Sequence, residues 1–352
     1  VAIDLIARMP KAELHLHLDG SLRPQTALEL AQERGLDDGM TLAQMSARLR
    51  APAQVDNQAQ LLDAFELPIA IMQDAEALYR TTHELVKDVA AEGTRYVEIR
   101  WGPLLHIQNG LDLGAGIAAV VAGAGDASRA TGVITRLIAV AIRSHPADAN
   151  AAMARVAASF FDQGLTGFDL AGPEKAFPDP LVHAHAFDIA REAGLGITIH
   201  AGEWGGAAQV RRALDVRPTR IAHGARAADD ASLMAELAAR NITLDVCPTS
   251  NVQASIFPTL KSFPLPALLS AGVPLTLSTD DRTVSDLTLV REYERARSDI
   301  GVSVADLWRM NRHALDVAFL HDDEPLRDTL RAEFDAFAVS EAALSGSPTQ
   351  SD

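Results

Sequence analysis

The strongest constraint on the fold is an alternation of eight short apolar runs with longer stretches of helical spacing. The runs are residues 11–18 (KAELHLHL), 96–101 (YVEIRW), 135–142 (TRLIAVAI), 167–172 (GFDLAG), 197–203 (ITIHAGE), 220–224 (RIAHG), 243–251 (TLDVCPTSN) and 274–281 (PLTLSTDD). Helical periodicity fills 26–35, 75–92, 117–129, 147–162, 181–193, 207–214, 228–240 and 264–271. Parallel strands buried on both faces read as continuous apolar runs, and each needs a crossover, usually a helix, to reach its neighbour. The pattern predicts an α/β chain, and eight units predict a (β/α)8 TIM barrel with additional helices. A doubly wound open sheet is the competing arrangement. The barrel is preferred because polar residues cluster at the C-terminal ends of many runs, where a barrel would gather them around one mouth. No glycine-rich dinucleotide fingerprint follows the first run, and the chain has no P-loop.

One metal-dependent barrel domain is expected over residues 1–339, with 340–352, rich in serine, as a mobile tail. Residues 40–79 form a helical insertion after the first strand, with Leu61, Leu62, Phe65, Leu67, Ile69, Ile71 and Met72 interrupted by Pro68. That insertion could cover a pocket as a lid or simply pack a helix on the barrel. Residues 287–337 read as helical. At 352 residues and 48% hydrophobic composition, one large core is feasible. The formal net charge of −16 and the lack of any Lys/Arg cluster argue against nucleic acid or an anionic membrane as partner. Cys247 is the only cysteine, which excludes an internal disulfide and suits a reducing compartment. No run reaches membrane-spanning length. A soluble, cytoplasmic protein is expected, of undetermined oligomeric state.

The first run carries His15 and His17. In a strand, residues i and i+2 share a face, so both imidazoles project together while Leu14, Leu16 and Leu18 point the other way. Later strand ends supply Gly172, then His200 with Glu203, then His223, then Asp280 with Asp281. Three imidazoles and one carboxylate are a reasonable zinc set that leaves a position for water. Glu203, three residues beyond His200, can face the same cavity and shuttle a proton; its alternative is to cap the next helix. The two adjacent aspartates can divide labour, one toward metal and water and the other toward a ligand. Cys247 is either a soft ligand or, more simply, buried in its strand.

MPKAELHLHLDGSLRP, YVEIRWGPLLH, GFDLAGPE, ITIHAGE, RIAHG, DVCPTSN and LSTDD, in this order, closely resemble the adenosine deaminase family of the amidohydrolase superfamily. The likeness runs from about Met9 to Phe337. It implies that His15, His17, His200 and Asp280 bind a single Zn2+ per subunit; the GFDLAG strand end has no lysine to form a bridge between two metals. It further implies that Glu203 is the proton donor to purine N1, that His223 and Asp280 orient and deprotonate the attacking water, and that Asp281 hydrogen-bonds N7. The Gly172 backbone would meet N3, and Asp19 would hold a ribose hydroxyl. The signature of the zinc deaminases with a PCxxC ligand pair is absent.

The expected activity is hydrolytic deamination of adenosine or 2′-deoxyadenosine, a small purine nucleoside, to the inosine product and ammonia. The nearest alternative is the same chemistry on 6-aminodeoxyfutalosine, because Arg282 stands where family members frequently have proline, and Arg282, Thr283 and Ser285 adjoin the mouth. Asp19 favours a nucleoside over free adenine, for which relatives usually carry Glu. Phosphorylated substrates such as N6-methyl-AMP would need cations, for which Arg23 and Arg282 are the candidates. An alternative of another class is a metal barrel that binds a nucleoside or protein without turnover, and a two-metal phosphotriesterase-like hydrolase is a further one.

Overall fold

The computed structural model describes residues 2–320, 323–341 and 344. Nine strands make the central wall: β1 (Lys11–His17), β2 (Thr94–Trp101), β3 (Ile134–Ile142), β4 (Leu165–Ala171), β5 (Gly196–Ile197), β6 (His200–Ala201), β7 (Arg220–His223), β8 (Thr243–Val246) and β9 (Leu275–Leu277). Every ladder is parallel, in the order β1 to β5 and β6 to β9. The two sheets join because β5 and β6 are one interrupted stave: the Thr198 N–H donates to Phe168 O and the Ala222 N–H to Ile199 O. The ring closes at β1, where the His17 N–H donates to Asp280 O at 2.8 Å and the Asp280 N–H donates to His15 O at 3.0 Å. The result is a (β/α)8 barrel, and the closing bonds are made by the residues of the expected metal set.

Two runs end earlier than their apolar character suggests. The strand expected over 243–251 stops at Val246, and Pro248–Gln253 is a helix with proline in its first turn, where a missing N–H costs nothing. The strand expected to 281 stops at Leu277, and Asp280 turns the chain at φ 67°. Conversely, the helix Gln58–Ile71 runs through Pro68 instead of breaking there. The helix Glu324–Ser340 takes in the first residue of the expected tail, and Arg8 binds Glu341 just after it. Apart from Leu344, residues beyond 341 lie outside the described residues. No helix of the described residues is long and apolar enough to cross a membrane.

The barrel interior is charged at its core. Arg100 donates to Asp169 Oδ2 at 2.8 Å, and Arg220 donates to Asp245 Oδ2 at 3.2 Å and pairs with Glu98. Thr276 and Tyr96 hydroxyls donate to the same carboxylates, Asp245 and Glu98. All five charged residues are fully buried, a placement tolerable only because each charge has an opposite one beside it. Phe319 plugs the N-terminal end with its ring 3.8 Å from the Arg220 guanidinium. Gly196 makes room for it: a Cβ there would lie 2.2 Å from the ring.

Candidate active site

At the C-terminal mouth, β1 aims His15 and His17 inward while Leu14 and Leu16 are buried on the opposite side, as period-two alternation requires. β6 contributes His200 and the turn after β9 contributes Asp280. His17 Nε2 lies 3.3 Å from His15 Nε2 and 3.2 Å from His200 Nε2; Asp280 Oδ1 lies 2.9 Å from His15 Nε2 and 3.3 Å from His17 Nε2. Ligands placed 2.0–2.1 Å from a tetrahedral zinc are separated by about 3.3 Å. Four of the separations among these donors are thus of the length that shared coordination of one ion produces, and three imidazole nitrogens converging on one point cannot all satisfy one another. Burial lowers the basicity of His15 well below its usual range and of His17 to about 4, so both rings present lone pairs. Burial opposes ionisation of Asp280, but His15 and His223 hold its carboxyl well below the usual range. Asp169 Oδ2 lies 2.9 Å behind His200 Nδ1, the position from which a carboxylate supports a metal histidine.

His223, at the end of β7, reaches the other side of Asp280. Its Nε2 lies 3.8 Å from both Asp280 Oδ2 and Glu203 Oε2, and its Nδ1 is held by the Asn251 amide at 3.1 Å. The Ser250 hydroxyl donates to Asp280 Oδ2 at 2.6 Å. Burial pushes His223 down to about 3. Both His223 (φ 63°) and Asp280 (φ 67°) hold left-handed backbone, a strain that functional positions tolerate.

Glu203 sits on the loop after β6, and Glu174 braces that loop. One Glu174 oxygen accepts from Gly202 N–H at 2.7 Å; the other accepts from Trp204 and Gly205 N–H at 2.8 Å. Burial first, then the charges of Asp280 and Glu174, push the Glu203 carboxyl well above the usual range, which favours its protonated form. Asp281 is raised in the same way, by burial and then by Asp280 and Asp19, and its buried Oδ1 has no partner. Gly20 leaves that oxygen its space: a Cβ there would lie 1.8 Å from it. Asp19 shifts the other way: burial opposes ionisation, but His106 and His17 hold its carboxyl low. Its Oδ1 is buried and unpartnered too.

Asp19, Gly172, Glu203, His223 and Asp281 all line one cavity whose floor includes His17, His200 and Asp280; His15 lies just behind. The 40–79 insertion supplies the facing wall through Gln58, Leu61, Leu62, Phe65 and Ile69. Arg282, Thr283 and Ser285 do not shape this cavity. Arg282 turns away to pair with Glu92, Thr283 donates to Leu22 O and Ser285 to Gln253, while Arg23 is committed to Asp88. The sequence reading missed Glu174, Asp169, Trp204, Ser250 and Asn251. Glu174 stands two residues past Gly172 and Ser250–Asn251 in a polar PTSN stretch; those positions were the available signal, but each acts through a partner distant in sequence.

The family model for adenosine deaminase matches residues 10–335. The chain belongs to the adenosine deaminase family. An adenosine deaminase of Mycobacterium sp. (strain JLS) is 34% identical over 345 residues, covering 93% of this chain and 94% of that one. An adenine deaminase of Rhizobium meliloti (strain 1021) is 37% identical over 336 residues, covering 93% and 99%. An amidohydrolase from Burkholderia ambifaria, solved with bound Zn, superposes at TM-score 0.85 with 26% identity, covering 96% of this chain and 94% of the other. Membership in the adenosine deaminase family makes this protein a hydrolytic aminohydrolase, and the cavity just described is where its polar residues converge.

Proposed function

We propose that the protein is a zinc-dependent deaminase of adenosine and 2′-deoxyadenosine, with residues 1–339 as one catalytic unit, one Zn2+ per subunit on His15, His17, His200 and Asp280, and a cytoplasmic site of action. The observation that carries the reading is the packing of three imidazoles and one carboxylate at 2.9–3.3 Å, with Glu203, whose carboxyl burial pushes well above its usual range, at the edge of the same cavity. When bound there, zinc would lower the pKa of a water toward neutrality.

The chain's own groups supply the rest. Glu203 donates its proton to purine N1, which weakens the ring's aromaticity and opens C6 to attack. His223 and Asp280 hold the attacking water from one side and take its proton, which then serves the departing ammonia. Asp281, kept protonated, donates to N7, a ring acceptor. The Gly172 N–H meets N3. Asp19, kept ionised with one oxygen free, accepts from a ribose hydroxyl, and this is the feature that favours a nucleoside over adenine.

Asp19, Glu174, Glu203, Asp280 and Asp281 line the cavity, and no Lys or Arg does so among the described residues. A phosphorylated substrate would meet repulsion there. With Arg282 spent on Glu92, the reason for favouring 6-aminodeoxyfutalosine falls away. The helix Gln58–Ile71 serves as the cover over the bound nucleoside.

The test is Glu203→Gln, followed by the fall in purine absorbance on adenosine, with adenine and 6-aminodeoxyfutalosine run beside it. Wild-type protein should turn over adenosine best, and the variant should lose about 10²–10⁴-fold in rate while keeping its zinc. A variant of near wild-type rate removes Glu203 from the chemistry, and a wild-type preference for either other substrate moves the assignment there.

A further inference from the structure

Asp280 divides its two oxygens. Oδ1 faces His15 and His17, whereas Oδ2 faces Ser250 at 2.6 Å and His223 Nε2 at 3.8 Å. On this second side lies Cys247, fully buried at the end of β8. Its sulfur, a His223 ring nitrogen and an Asp280 oxygen all lie within 4.8 Å of one another. The thiol donates to Asp245 O at 3.8 Å, the long end of an S–H hydrogen bond.

An imidazole, a thiol and a carboxylate form a donor set softer than the three-histidine set next to it, and soft ligands select thiophilic cations. We propose that His223, Cys247 and Asp280 form a second metal site that takes a thiophilic divalent cation, cadmium or zinc in excess, with Asp280 shared between the two centres. Binding replaces the S–H bond with a sulfur–metal bond and releases one proton to solvent. Occupancy inhibits the enzyme because it engages His223 and the Oδ2 side of Asp280; this clause alone rests on the proposed function.

The experiment loads the full-length protein with one equivalent of Zn2+, removes the excess and titrates Cd2+. Three signals are read: the ultraviolet cadmium–thiolate charge-transfer band, ions per chain by native mass spectrometry, and deaminase rate. The expected result is one additional ion per chain with the first zinc retained, a thiolate band rising in step, and activity falling at least tenfold. Cys247→Ser should keep the first zinc and the basal rate while losing the band and the inhibition. Cadmium binding without a thiolate band, the same titration in Cys247→Ser, or stoichiometric release of the first zinc overturns the proposal. If the serine variant does not fold, the wild-type band and stoichiometry decide alone. Both are read without substrate, so an error in the assigned substrate leaves the site testable.

Discussion

Replacing Glu174 by Gln tests whether the acid loop is held by this one buried carboxylate. The wild-type side chain accepts three N–H bonds, from Gly202, Trp204 and Gly205. A glutamine has one carbonyl oxygen and one NH2. Its least costly pose turns the oxygen to Trp204 and Gly205 and sets the NH2 against the buried Gly202 N–H. One charge-assisted bond is then lost, about 1.5–3 kcal/mol, and two others fall to neutral strength, about 1 kcal/mol each. Part of this is recovered because Trp204 and Gly205 are only half-buried, so the net loss is about 3 kcal/mol. For a chain of this length that corresponds to a fall in Tm of roughly 5 °C. The loss falls on the segment between His200 and Glu203, where a displacement on the order of 1 Å costs about 100-fold in rate. Calorimetry and adenosine kinetics on zinc-loaded protein are the assays, with zinc content as the control for His200. A variant with unchanged Tm and kcat within about threefold would refute the bracing argument.

Three further outcomes follow from the geometry. Asp19→Ala should lower kcat/KM for adenosine by about 10–100-fold, the cost of one hydrogen bond to a charged group, while the rate on adenine changes little; equal losses on both substrates would take Asp19 off the ribose. Glu292, which accepts from the Thr249 N–H and hydroxyl, is pushed by burial up to about 7 in the folded chain. A carboxyl raised on folding gives stability that is full below its unfolded value near 4.5 and is lost as pH rises through 7, worth about 3 kcal/mol. Glu292→Gln should therefore show a smaller drop in Tm than wild type between pH 5 and pH 8, and parallel profiles would contradict the assignment. Chelation of the metal followed by one equivalent of Zn2+ should abolish and then restore turnover; activity that survives verified removal of metal would exclude the zinc reading.

The sequence by itself determined the barrel. Eight apolar runs with helical crossovers leave few ways to bury both faces of a parallel sheet, and HLHLD, HAGE, RIAHG and STDD mark the strand ends that carry the polar groups. Period-two alternation alone puts His15 and His17 on one face, because side-chain direction in a strand is a local property. Loop direction is not local. The sequence suggested Arg282 as a shaper of the mouth, and only the fold brings Glu92, from the end of another helix, to take its charge. It left Glu174 unmarked, because its three partners belong to a loop some thirty residues on. It could not show the buried Arg100, Asp169, Glu98, Arg220 and Asp245 network, in which five charges spread over four strands look like breaks in apolar runs until the closed ring pairs them. Nor could it set the protonation of Glu203 and Asp281 against the ionisation of Asp19 and Asp280. Those four acids have similar intrinsic strengths, and they part only because each is buried beside a different set of charges.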